Sequence, residues 1–120
     1  MKIHKTIGQE IVLTPIYAQV LMALSDGKCH GYGIIRTIEE DTSGKIVLLT
    51  GTLYTVLHRL TEEGLIEECQ PDKSGDPRRK FYQLTENGTS ALMAEVNRMR
   101  DFIALSNKLT QKLRGSNVAI

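Results

Sequence analysis

The polar and apolar positions of the chain predict several short helices, then a change of period, then one long helix. Thr14-Pro15 is followed by Ile16, Tyr17, Val20, Leu21 and Leu24. These apolar residues fall at i, i+1, i+4, i+5 and i+8, which is one helical face. Thr14 suits the cap, and Pro15 suits the first turn, where its missing N–H needs no partner. Ser25-Asp26-Gly27 stops the helix. A second helix is predicted from Tyr32, Ile34, Ile35 and Ile38, with Gly44 ending it. Gly31 and Gly33 flank Tyr32. Either they let another backbone come close or they provide a turn. Ile46-Val47-Leu48-Leu49 is too short to assign by period, and its β-branched residues point to a short buried strand or an extended linker. A third helix begins at Thr50-Gly51-Thr52. Its Leu53, Val56, Leu57 and Leu60 recur at i, i+3, i+4 and i+7, and Gly64 stands where a left-handed C-terminal cap belongs.

The period then shortens to two. Leu65 to Gln70 reads as a strand, residues 71–77 are dense in turn formers, and Arg78 to Leu84 reads as a second strand. Together they predict a β-hairpin with a charged tip. Alternation puts Arg79 and Phe81 on one face and Arg78, Lys80, Tyr82 and Leu84 on the other, with Tyr82 and Leu84 in the core. Thr85 then caps a last helix running from about Glu86 to about Leu113. Its stripe is Leu92, Val96, Met99, Ile103, Leu109 and Leu113, widened by Phe102 and Leu105. Ser106 and Thr110 interrupt the seam, so it is not a clean heptad.

Three helices followed by a hairpin are the plan of a winged helix-turn-helix. The expected fold class is mainly α with a β-hairpin wing (α+β), plus a long C-terminal dimerisation helix. The predicted division is a winged domain over 10–84 and the helix over 85–113, with flexible ends at 1–9 and 114–120.

Composition narrows the function classes. The 120 residues are 41% hydrophobic and 24% charged, which suits one globular domain. Cys29 and Cys69 form no CxxC and no disulfide framework, so reduced thiols in a cytoplasmic setting are expected. No stretch approaches a membrane span. The formal net charge is only +1. Residues 1–84 carry ten basic and eleven acidic residues, and residues 85–120 carry five and three. Nucleic-acid binding therefore requires the cations to gather on one face. No nucleophile–base pair, glycine-rich phosphate loop or carboxylate pair points to an enzyme, and no cofactor is implied. Two cysteines and three histidines lack the spacing of a structural zinc site, so no metal is expected. His30 is read instead as a cap of the second helix or as packed in the His30-Gly31-Tyr32 turn.

The segments Thr14-Pro15-Ile16-Tyr17, His30-Gly31-Tyr32-Gly33-Ile34, Gly51 to Leu60, Glu63-Gly64-Leu65-Ile66 and Arg78 to Thr85 together resemble PadR-family transcriptional regulators. The resemblance covers roughly residues 11–92 and is closest to the small subfamily with a single C-terminal helix. It implies a homodimeric repressor of a roughly palindromic DNA operator. It also permits release by a small hydrophobic or phenolic effector at the dimer interface.

The residues support that reading one by one. With Leu53, Val56, Leu57 and Leu60 inward, the third helix leaves Thr52, Thr55, His58, Arg59 and Glu62 outward. Thr50 and Thr52 suit phosphate contact at the helix start. Thr55, His58 and Arg59 suit base edges or nearby phosphates. Tyr54 either reaches a phosphate or packs under the helix. Lys28 and Tyr32 are placed to reach a phosphate from the start of the second helix. Lys73, Arg78, Arg79 and Lys80 make the wing basic and suit phosphate contact, with Asp72 and Asp76 interrupting the cluster. The bland alternative for both elements is a solvated polar face. The long helix stripe, with Leu92, Val96, Met99, Phe102, Ile103, Leu109 and Leu113, exceeds what a core of this size covers. The resemblance implies that it packs on the first helix of a second copy, near Ile11, Leu13 and Tyr17. The alternative is a helix folded back on its own domain. Drug-binding relatives are expected to stack a Trp in the effector pocket. This chain has none, which leaves Phe102 as the aromatic candidate. The competing function is a winged-helix protein-interaction module without sequence-specific DNA binding.

Overall fold

A computed structural model describes residues 4–5, 11–71 and 79–115. Strands β1 (His4–Lys5) and β2 (Ile11–Val12) pair antiparallel, with His4 opposite Val12 and Lys5 opposite Ile11. Part of the expected flexible N-terminus is therefore tied into a short ladder. Helix α1 (Pro15–Ala23) follows, then strand β3 (Cys29–His30) and helix α2 (Gly31–Asp41). Residues 42–49 connect α2 to helix α3 (Thr50–Glu62). Strands β4 (Ile66–Cys69) and β5 (Phe81–Leu84) form the wing, and helix α4 (Glu86–Gly115) ends the described chain.

The hairpin is one part of a three-stranded sheet, ordered β3-β5-β4. In it Cys29 faces Tyr82, His30 faces Phe81, and Ile66 faces Leu84. Strand β3 was not predicted, because two residues are too few to display a period. The Ile46 to Leu49 run is a linker and not a strand. It still alternates, with Leu48 buried and Val47 and Leu49 exposed, so it closes the core as it crosses.

The core lies where α1, α2 and α3 meet the sheet. Tyr17, Val20, Leu21, Ile34, Leu53, Leu60 and Leu65 are all fully buried there. Each large apolar side chain so buried contributes about 1.5–3 kcal/mol. The sequence placed only Tyr82 and Leu84 of β5 in the core. Tyr82 is buried, but Leu84 is only partly so, and Phe81 on the opposite face is buried too. His30 covers Phe81, ring edge to face at 5.3 Å, so both faces of this short strand are occupied.

Helix α4 starts on a built platform. The Thr85 hydroxyl accepts from Gly88 N–H at 3.0 Å and donates to the Gly64 carbonyl at 2.6 Å. A Cβ on Gly88 would overlap the Leu65 carbonyl oxygen, so only glycine lets the helix sit this close. The first turns bury Ala91, Leu92 and Glu95 against the domain, with Val96 packed on its edge. From residue 97 onward no α4 side chain is buried.

Candidate nucleic-acid interface

Helix α3 has two distinct faces. Leu53, Val56, Leu57 and Leu60 anchor it in the core. Thr50, Thr52, Thr55 and His58 are exposed on the other side, and Arg59 is partly exposed. The side chains on this outer face are partly engaged. Thr55 Oγ1 donates back to the Gly51 carbonyl at 3.0 Å. Glu62 meets His58 Nε2 at 2.9 Å and Arg59 Nη1 at 3.4 Å. Glu62 thus holds both predicted base readers along the helix axis. The i+3 and i+4 spacing from Arg59 and His58 was a signal for this pairing that the sequence reading left unused.

A cleft of about 440 Å³ opens beside α3, lined by His30, Gly31, Tyr32, Tyr54, Arg79, Lys80 and Tyr82. It draws on β3, the start of α2, the start of α3 and the wing root, and no carboxylate among the described residues lines it. Tyr54 packs against a neighbouring helix and stays half open to solvent. Its ring packs against α2, since a Cβ on Gly31 would come within 2.9 Å of its hydroxyl, yet the residue is 48% exposed. Gly31 and Gly33 have no positive φ and therefore serve as space-makers. Each admits a side chain, Tyr54 for Gly31 and Cys29 for Gly33, where the expectation was a backbone or a turn.

His30 caps α2 as expected, its Nδ1 accepting from Gly33 N–H at 3.0 Å. Its Nε2 lies 2.9 Å from Arg79 Nη1. Burial first and the Arg79 charge second lower the imidazole pKa below its ordinary value. Tyr82 moves the other way. Burial, then Glu68 and Tyr54, push its phenol up, so it remains a protonated donor in the cleft. Tyr32 is exposed, carries Arg36 over its ring at 5.9 Å, and stacks near His30.

The predicted site residues therefore separate into groups. Tyr32, Tyr54, Arg79 and Lys80 share the cleft. Thr50, Thr52, Thr55, His58 and Arg59 lie on α3. Lys28 stands apart: its Nζ donates to the Gln70 carbonyl at 3.0 Å, at the end of β4, and it does not line the cleft. Lys73 and Arg78 lie outside the described residues. His30 and Tyr82 were missed as cleft residues. Their positions depend on the β3–β5 pairing, which no local pattern encodes.

The proposed interface set also needs correction. Leu13, Tyr17 and Leu92 are core residues of the single chain, at 6%, 0% and 6% exposure, and have almost no surface to offer a partner. Ile11 sits in β2 opposite Lys5. Val96 and Leu113 are partly exposed. Met99, Phe102, Ile103 and Leu109 are open, with Phe102 at 63%. Glu95, Arg98, Met99, Phe102 and Ile103 line a shallow cleft of about 410 Å³ on this helix.

Among the described residues no cluster of His, Cys, Asp and Glu can hold a metal ion. Cys29 and Cys69 are not in a disulfide, and burial raises the Cys29 thiol pKa against a lowering contact from the His30 backbone. No described helix is long and apolar enough to cross a membrane.

The family model described as "Transcriptional regulator PadR-like family" matches residues 20–94, which span α2, α3, the wing and the start of α4. The chain belongs to the PadR family. As a PadR-family protein it is a transcriptional regulator and not an enzyme. Solved structures share the winged-helix fold. A PadR family transcription regulator from Clostridium difficile is 26% identical, with a TM-score of 0.64 over 78% of this chain and 98% of that one. A PadR-like regulator from Bacillus cereus is 24% identical, with a TM-score of 0.68 over 80% and 91%. Bacillus subtilis PadR, solved in complex with operator DNA, is 24% identical, with a TM-score of 0.61 over 69% and 47%. No curated protein matches the chain.

Proposed function

We propose that this PadR-family chain is a homodimeric repressor that binds a roughly palindromic operator in double-stranded DNA. The observation that carries the reading is the cleft that gathers Tyr32, Tyr54, Arg79 and Lys80 beside the open face of α3. The net charge of +1 gives no bulk attraction for a polyanion, so local gathering of donors must supply it. In this reading α3 enters the major groove, where Thr55, His58 and Arg59 meet base edges. The wing root and the start of α2 hold flanking phosphates. That Bacillus subtilis PadR was solved in complex with operator DNA supports a DNA partner for this chain.

The homodimer reading is supported by the distal half of α4. Met99, Phe102, Ile103 and Leu109 form an open apolar stripe on a helix about 45 Å long. Pairing it with a second copy buries that stripe and sets two α3 helices at a fixed separation, which is why the operator is expected to be palindromic. An effector, if it is small, apolar or phenolic, fits the α4 cleft beside Phe102. It acts there by favouring one relative angle of the two α3 helices. The protein is expected in the cytoplasm, with its thiols reduced.

The test is a salt titration of binding to the DNA upstream of the protein's own gene, with a scrambled duplex as control. Tight binding to the native duplex, steep in salt and weaker on the scrambled one, is expected. The double variant Arg79→Ala, Lys80→Ala should abolish it. Equal, weak binding to both duplexes would instead favour a protein-interaction module.

A further inference from the structure

The cleft at the wing root holds a contact whose sense is set by the tautomer of His30. His30 Nδ1 accepts a hydrogen bond from Gly33 N–H, so in the neutral ring the proton sits on Nε2. That Nε2–H lies 2.9 Å from Arg79 Nη1. A guanidinium carries donors and no acceptor. Two donors therefore face each other, and neither satisfies the other. An oxygen acceptor placed between them, such as that of a phosphate, can take one hydrogen bond from each.

The surroundings suit an oxyanion and not a cation. Lys80 and the hydroxyl-bearing Tyr32, Tyr54 and Tyr82 line the same space, and among the described residues no acid does. Its volume of about 440 Å³ is far more than the roughly 30 Å³ that a water occupies in the liquid. Glu40 on α2 lines the neighbouring cleft and is paired to Arg36 at 3.4 Å. Burial and the Arg79 charge lower the ring's pKa, which favours the neutral form that keeps the α2 cap and the Nε2 donor together.

We propose that His30 is a phosphate ligand, donating through Nε2 to a phosphodiester of the DNA backbone that Arg79 also holds. The proposal rests on the DNA-binding reading and adds a residue that was read only as a helix cap. It also gives the cap a second consequence. The same imidazole ties the phosphate to Gly33, and so to the first turn of α2, which packs on α3. One phosphate then fixes the register of the helix that reads bases.

The variant His30→Asn separates the two roles. Asn is a good N-cap, so α2 stays closed, but its short amide does not carry a donor out to the Nε2 position. His30→Asp also caps and places a negative charge beside the phosphate. Thermal melts of both variants verify folding. Affinity is then read by fluorescence anisotropy on the upstream duplex and on the scrambled duplex over a salt series.

His30→Asn is expected to weaken binding about tenfold on both duplexes, because a phosphate contact is blind to sequence. Its slope of log K against log salt should match the wild type, since a neutral donor releases no counterion. Arg79→Ala should reduce that slope by about one. His30→Asp should lose about a hundredfold. The proposal is overturned if His30→Asn melts and binds like the wild type. It is equally overturned if the loss appears on the upstream duplex alone, which would mark a base contact. A wild-type chain that binds neither duplex would overturn the DNA reading itself, and this proposal with it.

Discussion

Helix α3 and the distal half of α4 are both amphipathic, and their apolar faces meet opposite fates. On α3, Leu53, Val56, Leu57 and Leu60 are between 0% and 2% exposed. On α4, Met99, Phe102, Ile103 and Leu109 remain open to solvent. Periodicity says that a face requires cover. It does not say which chain provides it. The α3 stripe lies between α2 and the wing, so its own domain closes over it. The α4 stripe begins where the platform of Gly64, Leu65 and Thr85 ends, and the helix runs on past the domain.

The largest effect separates the two faces by stability. Leu57→Ala should cost about 2–5 kcal/mol, because a buried cavity is left behind. That should lower the Tm by roughly 10 °C or more. Ile103→Ala should change the Tm only in step with protein concentration, as expected for a contact made between copies. Scanning calorimetry at several concentrations distinguishes them. Equal and concentration-independent losses would mean that α4 folds back on its own domain.

The contrast also explains what was legible in the sequence. The four helices and the hairpin were readable because each displays several turns or alternations of its own period. Thr85 and His30 were readable as caps because capping is local. Strand β3 was not, since two residues show no repeat and its partner lies some fifty positions away. The open face of α3 could be projected from four leucine and valine positions. The cleft could not, because it joins Tyr32, Tyr54, Arg79 and Tyr82 from separate elements through the sheet register. Assigning Leu13, Tyr17 and Leu92 to a partner failed for a related reason. An apolar residue on a helical face looks the same whether its neighbour belongs to its own chain or to another.

A smaller effect tests the exposed stripe directly. Ile103→Asp puts a charge at the centre of the proposed dimer seam, far from the core. Burying it unpaired should weaken self-association by about a hundredfold, roughly 2.7 kcal/mol. Sedimentation equilibrium reads this, while the far-ultraviolet circular dichroism of the dilute protein stays unchanged. Upstream-duplex binding should fall with it, because two α3 helices no longer act as one unit. A variant that stays dimeric would move the interface off this stripe.

The smallest effect lies at the other end of the comparison, in the polar cleft. Burial and Arg79 hold the His30 pKa below its ordinary value near 6.5. The unfolded chain therefore binds this proton at a higher pH than the folded chain does. Below about pH 6.5 the unfolded state gains protons first, so stability falls as pH falls, and it levels off once the folded ring is also charged. Protonation also takes the Nδ1 lone pair away from Gly33 N–H, so the α2 cap is lost in the same step. His30→Asn has no such titration. Denaturant unfolding of both proteins from about pH 7 to about pH 5 should show the wild type losing ground to the variant with acid, most steeply just below the ordinary histidine pKa. Parallel curves would mean that His30 feels neither Arg79 nor its cap, and that the donor pair in the cleft is not formed in solution.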